Sequence, residues 1–348
     1  MELKRYKGNP IIKPCKGHKH EDLVVCNPAA WYENGTFYLL YRSAGDDQEH
    51  FIYLNLATSK NGFDFERYPG NPVLSPTMDN YDEGCCEDPR IVKYGDLFYV
   101  TYAYRPFAPG RYWEEGHYLK PKFELDDFAP NGLRWNTSNT GLAISKDLIH
   151  FKKLGRITDY NLDNRDVILF PRKINGKFYR LERPVEWVGE KYGCDVPSIW
   201  INESDNVMEW HHENAKLLAK PQEEWEEKKM GGSTPPIETE LGWLILYHGV
   251  SKKDDGYRVG AMILDINDPT KVLYRTKDYF FEPVEDYETK GFYNGCVFPT
   301  GCVVVDDTLY VYYGGADHFV NVATCSLKEL LKYTKENTKK WKKIYLEN

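Results

Sequence analysis

Cys85-Cys86-Glu87-Asp88-Pro89-Arg90-Ile91-Val92-Lys93-Tyr94-Gly95-Asp96-Leu97-Phe98-Tyr99-Val100-Thr101-Tyr102 decides how this chain reads. Two adjacent carboxylates and an arginine precede one strand, a Gly-Asp turn and a second strand of alternating apolar and polar positions. The pattern predicts a β-hairpin with a charged cluster at its start. The same frame recurs four more times, weakly but in order. Asn27-Pro28 opens a hairpin that turns at Asn34-Gly35, the strongest short hairpin signal available. Phe170-Pro171-Arg172-Lys173 leads to Asn175-Gly176, Pro235-Pro236 to Leu241-Gly242, and Phe298-Pro299 to Asp306-Asp307. With Pro28, Pro89, Pro171, Pro236 and Pro299 as markers, the spacing is similar except for one longer interval between Pro89 and Pro171.

Each unit also offers a second half, beginning near Leu56, Leu142, Ser198, Val259 and Asn321. Two hairpins per unit make a four-stranded blade, and five blades close into an all-β, five-bladed propeller around a central channel. Closure leaves no long exposed sheet edges, which a β-sandwich, the competing fold, would have to protect in other ways. The longer interval predicts an inserted loop at about 105–140, a lid, binding loop or oligomer contact within one domain spanning 1–348. From Leu327 to Tyr345 the chain is Lys-rich, and Leu327, Leu330, Leu331 and Thr334 fall at helical spacing, predicting a C-terminal surface helix.

Composition excludes several classes. The net charge of −8 comes from interspersed acids and bases rather than blocks, which argues against a nucleic-acid partner. No run of 18 apolar residues suits a membrane span, and no apolar stretch follows the basic N-terminal residues, so a cytoplasmic location is expected. Eight cysteines without C-x-x-C spacing predict reduced thiols, no zinc, no other metal and no cofactor. Aromatic content is high, and 27 Tyr with 9 Trp suit both strand surfaces and sugar stacking.

In a propeller the first strand of each blade lines the channel. Asn27, Glu87 with Asp88, Lys173, the Ser233-Thr234 pair and Phe298 should therefore converge, joined from strand ends by Arg42, Asp46, Asp47, Arg90, Arg180, Glu182, Arg183, His248 and Asp317. Singly, each has an ordinary explanation: Asp before Pro forms turns, Lys173 is a solvated strand residue, and His248 a satisfied turn histidine. Together, acids and bases at equivalent places in several repeats suit a polyhydroxylated ligand, held by charge-assisted hydrogen bonds and aromatic faces.

Asn27-Pro28-Ala29-Ala30, Tyr41-Arg42, Glu87-Asp88-Pro89-Arg90-Ile91, Leu169-Phe170-Pro171, Tyr247-His248-Gly249-Val250 and Tyr313-Gly314-Gly315-Ala316-Asp317 resemble glycoside hydrolase family 130, the β-mannoside phosphorylases and β-mannosidases. The likeness runs in order from about Asn9 to Ser326. It implies a five-bladed propeller and an inverting phosphorylase that releases mannose 1-phosphate from β-mannosides or β-manno-oligosaccharides. By the same resemblance Asp88 is the general acid, protonating the glycosidic oxygen through a mannosyl hydroxyl. Asn27, Arg42, Asp46, Glu87, Arg90 and Asp317 would bind the sugar. Lys173, His248, Arg180 and Arg183 would hold inorganic phosphate as co-substrate. Glu87 would raise the pKa of Asp88 and Arg90 would lower it.

Two departures keep an inverting β-mannosidase as the alternative. Asn139-Thr140-Gly141 stands where the family's phosphorylases carry an arginine, and Glu182 stands where many carry histidine. Arg134, Arg180 or Arg183 would replace the lost charge, whereas Glu182 would serve a hydrolase as general base to water. A furanosidase or fructosidase would need an acid where Asn27 stands. A non-catalytic carbohydrate-binding propeller would have no use for Asp88, Lys173 and His248. A carbohydrate is the expected partner, and a homo-oligomer is compatible with the sequence.

Overall fold

The computed structural model describes residues 1–77, 81–114 and 125–338. Within them, five antiparallel sheets form the blades of a propeller. After β1 (Lys4–Arg5), blade one comprises β2 (Val24–Glu33), β3 (Thr36–Ala44), β4 (Ile52–Ser59) and β5 (Glu66–Arg67). Blade two is β6 (Glu87–Tyr94), β7 (Leu97–Tyr104), β8 (Asn139–Ser145) and β9 (Phe151–Arg156). Blade three is β10 (Asn164–Leu169), β11 (Phe178–Pro184), β12 (Ile199–Ser204) and β13 (Lys216–Ala219). In blade four the first strand is interrupted, so that β14 (Lys229–Gly232) and β15 (Ile237–Thr239) both pair with β16 (Gly242–Val250), followed by β17 (Tyr257–Leu264) and β18 (Val272–Arg275). Blade five is β19 (Val297–Val305), β20 (Thr308–Gly315) and β21 (Phe319–Ser326), with β1 on its outer edge.

Local chemistry sets the hairpins. Asn34 and Gly35 have φ of 52° and 71°, and Asn175 and Gly176 have 52° and 84°. Paired left-handed residues give the turn whose twist matches antiparallel strands. In the second hairpins of blades one and two, Ser59 and Ser145 accept the Gly62 and Leu148 amides through their hydroxyls, tightening those turns.

Both faces of a blade are covered by its neighbours, so side-chain alternation selects a neighbour rather than core or solvent. Strand β16 is buried along its whole length. Its Trp243, Ile245 and Tyr247 pack with Ile168, Leu181 and Ile201 of blade three. Its Leu244 and Leu246 pack with Val297, Leu309 and Val311 of blade five. The same arrangement sets Leu40 and Leu54 with Ile91 and Val100, Leu39 and Tyr41 with Val303 and Tyr312, and Val92 and Leu142 with Val167 and Leu169.

The third unit begins earlier than its proline marker suggests. Strand β10 ends at Leu169, and Pro171 to Gly176 form the hairpin turn. Asp166-Val167 occupies the place of Asn27-Pro28 and Asp88-Pro89. The described parts of the insertion are a strap, 105–114, and the stretch carrying α1 (Asn131–Arg134); 115–124 lies outside the described residues. A short α2 (Asp286–Thr289) precedes blade five. The expected C-terminal helix is α3 (Leu327–Glu336), capped by the Ser326 hydroxyl and anchored by Leu330, Leu331 and Thr334; 339–345 fall outside the described residues.

The N-terminal strand β1 clasps blade five, pairing Lys4 with Thr324 and Arg5 with Ala323. Leu3 is fully buried. Arg5 donates to both oxygens of buried Glu288, at 2.8 and 3.0 Å, and Glu288 also accepts from Tyr313 at 2.7 Å. Truncating one partner of a buried pair leaves the other charge uncompensated, at a cost of about 3–5 kcal/mol. Arg5→Ala should therefore lower the melting temperature by roughly 4–7 °C. Thermal denaturation followed by circular dichroism checks this, and an unchanged transition would show that the terminal strand does not clasp the ring.

Candidate active site

Three inner strands carry a β-bulge at the same place, between Cys26 and Ala29, Glu87 and Arg90, and Arg165 and Ile168. At each bulge one polar residue adopts left-handed φ: Asn27 at 46°, Asp88 at 50° and Asp166 at 54°. Asn and Asp tolerate that conformation better than other residues with a Cβ, and a bulge re-aims the side chain beside it. All three line a cavity of about 300 Å³.

One end of the cavity is carboxylate-rich. Asn27 Nδ2 donates to Asp88 Oδ1 at 2.8 Å. Arg42 Nη1 lies 3.0 Å from Glu87 Oε2 and 3.5 Å from Asp88 Oδ1. Blade five closes this end tightly, since a Cβ on Gly314 would sit 1.9 Å from Asn27 Oδ1. Burial raises the Asp88 carboxyl to about 6, with Glu87 adding to the rise and Arg42, Arg90 and the Asn27 bond opposing it. Burial pushes Glu87 the same way, but Arg42, Arg105 and Arg165 outweigh it, so its carboxyl is lowered. Unequal surroundings thus divide two neighbouring acids into one ionised group and one close to its proton. Asp317 is raised as well, by burial and Glu87 against Arg42.

The other end is cationic. Arg183 Nε donates to Asp166 Oδ2 at 2.7 Å, with His248 Nε2 at 3.7 Å from the same oxygen and Arg90 Nη2 at 3.9 Å from Oδ1. Burial opposes ionisation of Asp166, yet Arg183, His248 and Arg90 hold its carboxyl well below the usual range. Arg90 is fixed by the Ser233 and Asp88 carbonyls at 2.5 and 2.8 Å. Arg165 donates twice to Asp163, at 2.6 and 2.7 Å. Among the described residues Lys229 makes no ion pair; it lies 5.0 Å from the Tyr257 ring centroid, and burial with Arg183 and Arg165 nearby lowers it to about 8. His248 is lowered to about 3 by burial and by Arg183, Lys229 and Arg90, against Asp166. It is therefore a neutral imidazole, whose Nδ1 lies 3.2 Å from the Ser233 hydroxyl. Gly231 is needed here, because a Cβ would come within 2.2 Å of Asp166 Oδ2 and 2.6 Å of His248 Cε1.

Of the residues proposed from sequence, Asn27, Arg42, Glu87, Asp88, Arg90, Arg183, His248, Phe298 and Asp317 meet around this cavity. Lys173, Arg180, Glu182, Asp46, Asp47, Ser233, Thr234 and Arg134 do not line it. Lys173 is exposed in the β10–β11 turn, with its ammonium 4.2 Å from the Phe178 ring centroid. Arg180 and Glu182 share a face of β11 that turns away from the cavity. Arg180 bonds the Ile157 carbonyl and Glu182, each at 2.6 Å, and Glu182 also accepts from Asn164 and Asn202 at 2.7 and 2.9 Å. Glu182 is thus a buried structural anion rather than a base facing a substrate. Asp46 is outside the cavity wall and pairs with Arg111. Arg134, on α1, donates to the Asp126 carbonyl. Sequence reading missed Arg105, Tyr112, Arg165, Asp166, Lys229 and Tyr257, all of which line the cavity. The available signal for Asp166 was Asn164-Arg165-Asp166 heading a β-branched run without a proline.

Metal donors gather elsewhere, at Cys15, His18 and Glu21, within 4.8 Å of one another. Glu21 is already engaged by Tyr41, Asn55 and Arg67. An arginine on the same carboxylate disfavours a cation there.

A family profile described as beta-1,4-mannooligosaccharide phosphorylase, glycoside hydrolase family 130, matches residues 3–112 and 131–336. The chain belongs to this family. A 1,2-beta-oligomannan phosphorylase of a Thermoanaerobacter sp. is 35% identical over 336 residues, covering 95% of this chain and 99% of the relative. A beta-1,4-mannooligosaccharide phosphorylase of Ruminococcus albus is 30% identical over 347 residues, covering 96% and 91%. The structure of a beta-1,2-mannobiose phosphorylase from Listeria innocua, in complex with beta-1,2-mannobiose, superposes with a TM-score of 0.76 at 28% identity, covering 97% of this chain and all of that one. This family 130 protein is accordingly an enzyme acting on β-mannosides. The acid pair makes a specific demand on its pH profile. Glu87→Gln removes the like charge beside Asp88 and leaves Arg42 to that carboxyl alone, so the alkaline limb of kcat/KM should move below pH 6 by up to about one unit. A limb that stays in place would mean that Glu87 does not tune Asp88.

Proposed function

We propose that the protein is an inverting phosphorylase that transfers a β-linked mannosyl group to inorganic phosphate, releasing mannose 1-phosphate. The observation that carries this reading is one cavity with a protonatable carboxyl at one end and a cluster of cationic side chains, from buried Arg183 to part-exposed Arg165, at the other. Asp88 is the general acid. Its proton passes through a mannosyl hydroxyl to the glycosidic oxygen, the route the family resemblance implies, and the C1–O bond breaks as phosphate oxygen bonds to C1 from the opposite face. A β-mannoside thus gives α-mannose 1-phosphate and a shortened sugar bearing the proton. Arg42, Asn27, Glu87 and Asp317 bind the mannosyl hydroxyls, and Arg90 fixes the Asp88 backbone.

Phosphate binding falls to Arg165, Arg183 and Lys229, with neutral His248 as a hydrogen-bond partner. Lys229 and Arg165 replace Lys173 and Arg180 in the roles expected from sequence, and they supply the charge that Asn139-Thr140-Gly141 lacks. Charge-assisted, bidentate contacts from arginines suit the geometry of phosphate. Hydrolysis is the weaker reading, because Glu182 is committed to Arg180, Asn164 and Asn202 and is not available to a water in the cavity.

Incubation with β-mannobioses and β-manno-oligosaccharides, with and without phosphate, tests the proposal. Mannose 1-phosphate should form only with phosphate, and free mannose formed equally well without it would overturn phosphorolysis. Asp88→Asn should reduce kcat by about 10²–10⁴-fold, while mannobiose binding measured by calorimetry persists. An acid works only while protonated, so kcat/KM should be highest below about pH 6 and fall tenfold per unit above it. Lys229 is charged below about 8 and loses its proton above that value, so the KM for phosphate should climb beyond pH 8. In Lys229→Met that KM should be raised about tenfold or more already at pH 7, with the KM for mannobiose unchanged.

A further inference from the structure

The strap at 105–114 carries Arg105, Pro109 and Tyr112 into the cavity wall. Tyr112 sits at the carboxylate-rich end, where burial raises its phenol in the fields of Arg42, Asp317 and Glu87. Two kinds of attachment hold the strap. At its base, Asn136 bonds both the amide and the carbonyl of Phe107, each at 2.9 Å, and receives Arg105 on its own carbonyl at 2.5 Å. Toward its tip, the Gly110 amide donates to the Glu49 carbonyl at 2.9 Å, and Trp113 packs against His50 and Phe292, with centroids 4.5 and 5.2 Å apart. There Arg111 also bridges Asp46 and Glu114.

Asp46 stands on a rigid support. A Cβ on neighbouring Gly45 would fall 1.7 Å from the Lys19 carbonyl oxygen, and the Asp46 amide donates to Asp22 Oδ1 at 3.0 Å. The loop that presents Asp46 is thus packed against the 15–22 segment, whereas among the described residues the strap reaches it through contacts at its tip. The Asp46 side chain is 56% exposed and that of Arg111 20%. Their attraction acts outside the cavity and is open to screening by salt.

We propose that Asp46 and Arg111 form a latch that holds the strap, and with it Tyr112, over the mannosyl end of the cavity. Both are then positioning residues for the mannosyl group and not ligands of it. The inference rests on the mannosyl and phosphate ends assigned above. It separates them, because the strap's Tyr112 sits over the first and, among the described residues, none of the phosphate-end groups pairs with Asp46 or Arg111.

The test uses the full chain with Asp46→Asn, Arg111→Gln and the double variant. Each single change should raise the KM for β-mannobiose about 2- to 5-fold, the scale an exposed ion pair supplies, while leaving the KM for phosphate unchanged. The double variant should be no worse than either single one, as expected for two halves of one contact. Hydrogen exchange at the Gly110 and Tyr112 amides should quicken in all three. High salt should move the wild type toward the variants and leave the variants where they are. Additive effects, or a large effect of Asp46→Asn with none of Arg111→Gln, would make Asp46 a direct sugar ligand and overturn the latch. Equal rises in both KM values, or unchanged mannobiose KM and exchange, would overturn it too. Calorimetric affinity for β-mannobiose without phosphate gives the same comparison if no mannose 1-phosphate forms, so failure of phosphorolysis and failure of the latch remain distinct.

Discussion

A single buried guanidinium, that of Arg42, stands between Glu87 and Asp88 and organises the site around them. Removed from water, two adjacent carboxylates cannot both ionise without compensation. Arg42 lies nearer to Glu87, so Glu87 takes the negative charge and Asp88 keeps an affinity for its proton near neutrality. Position then matters as much as charge. The bulges that turn Asn27 and Asp88 inward place the Asn27 amide on the acid, and Gly314 leaves room for that amide.

The same backbone device serves the opposite end of the cavity with a different outcome. Asp166 occupies the bulge of blade three as Asp88 does that of blade two, yet Arg183 and Arg90 flank it and keep it ionised. Fold repetition thus supplies equivalent sites, and the neighbours on the adjoining strands decide whether a carboxyl donates a proton or anchors cations. Each blade can vary its chemistry without disturbing the packing, because that packing is made by the alternating residues farther along the strands.

Much of this was legible in the sequence, for physical reasons that also explain the errors. Asn34-Gly35 and Asn175-Gly176 demand left-handed turns, which announced the hairpins. Asp88-Pro89 and Asn27-Pro28 were visible because proline marks the bulge. Val167 follows Asp166 without such a mark, so the third unit was placed from Pro171 and Lys173 was drawn into the site with it. Arg180 and Glu182 failed on parity, as residues two apart on β11 share a face and that face is turned toward Ile157, Asn164 and Asn202. Lys229 could not be found by repeat matching, since blade four alone splits its inner strand around 233–236.

The clasp between β1 and β21 bears on how the molecule is made. Arg5 leaves the ribosome 283 residues before Glu288, its partner in the finished ring. During synthesis the first strand has nothing to pair with, and blades one to four can assemble in turn while the outermost place in the last blade stays vacant. Loop closure over so long a separation is slow. Completion of the cavity, whose carboxylate end draws Asn27 from blade one and Asp317 from beyond β20, therefore waits on blade five, and a nascent chain gains its binding site only when the first and fifth blades have met.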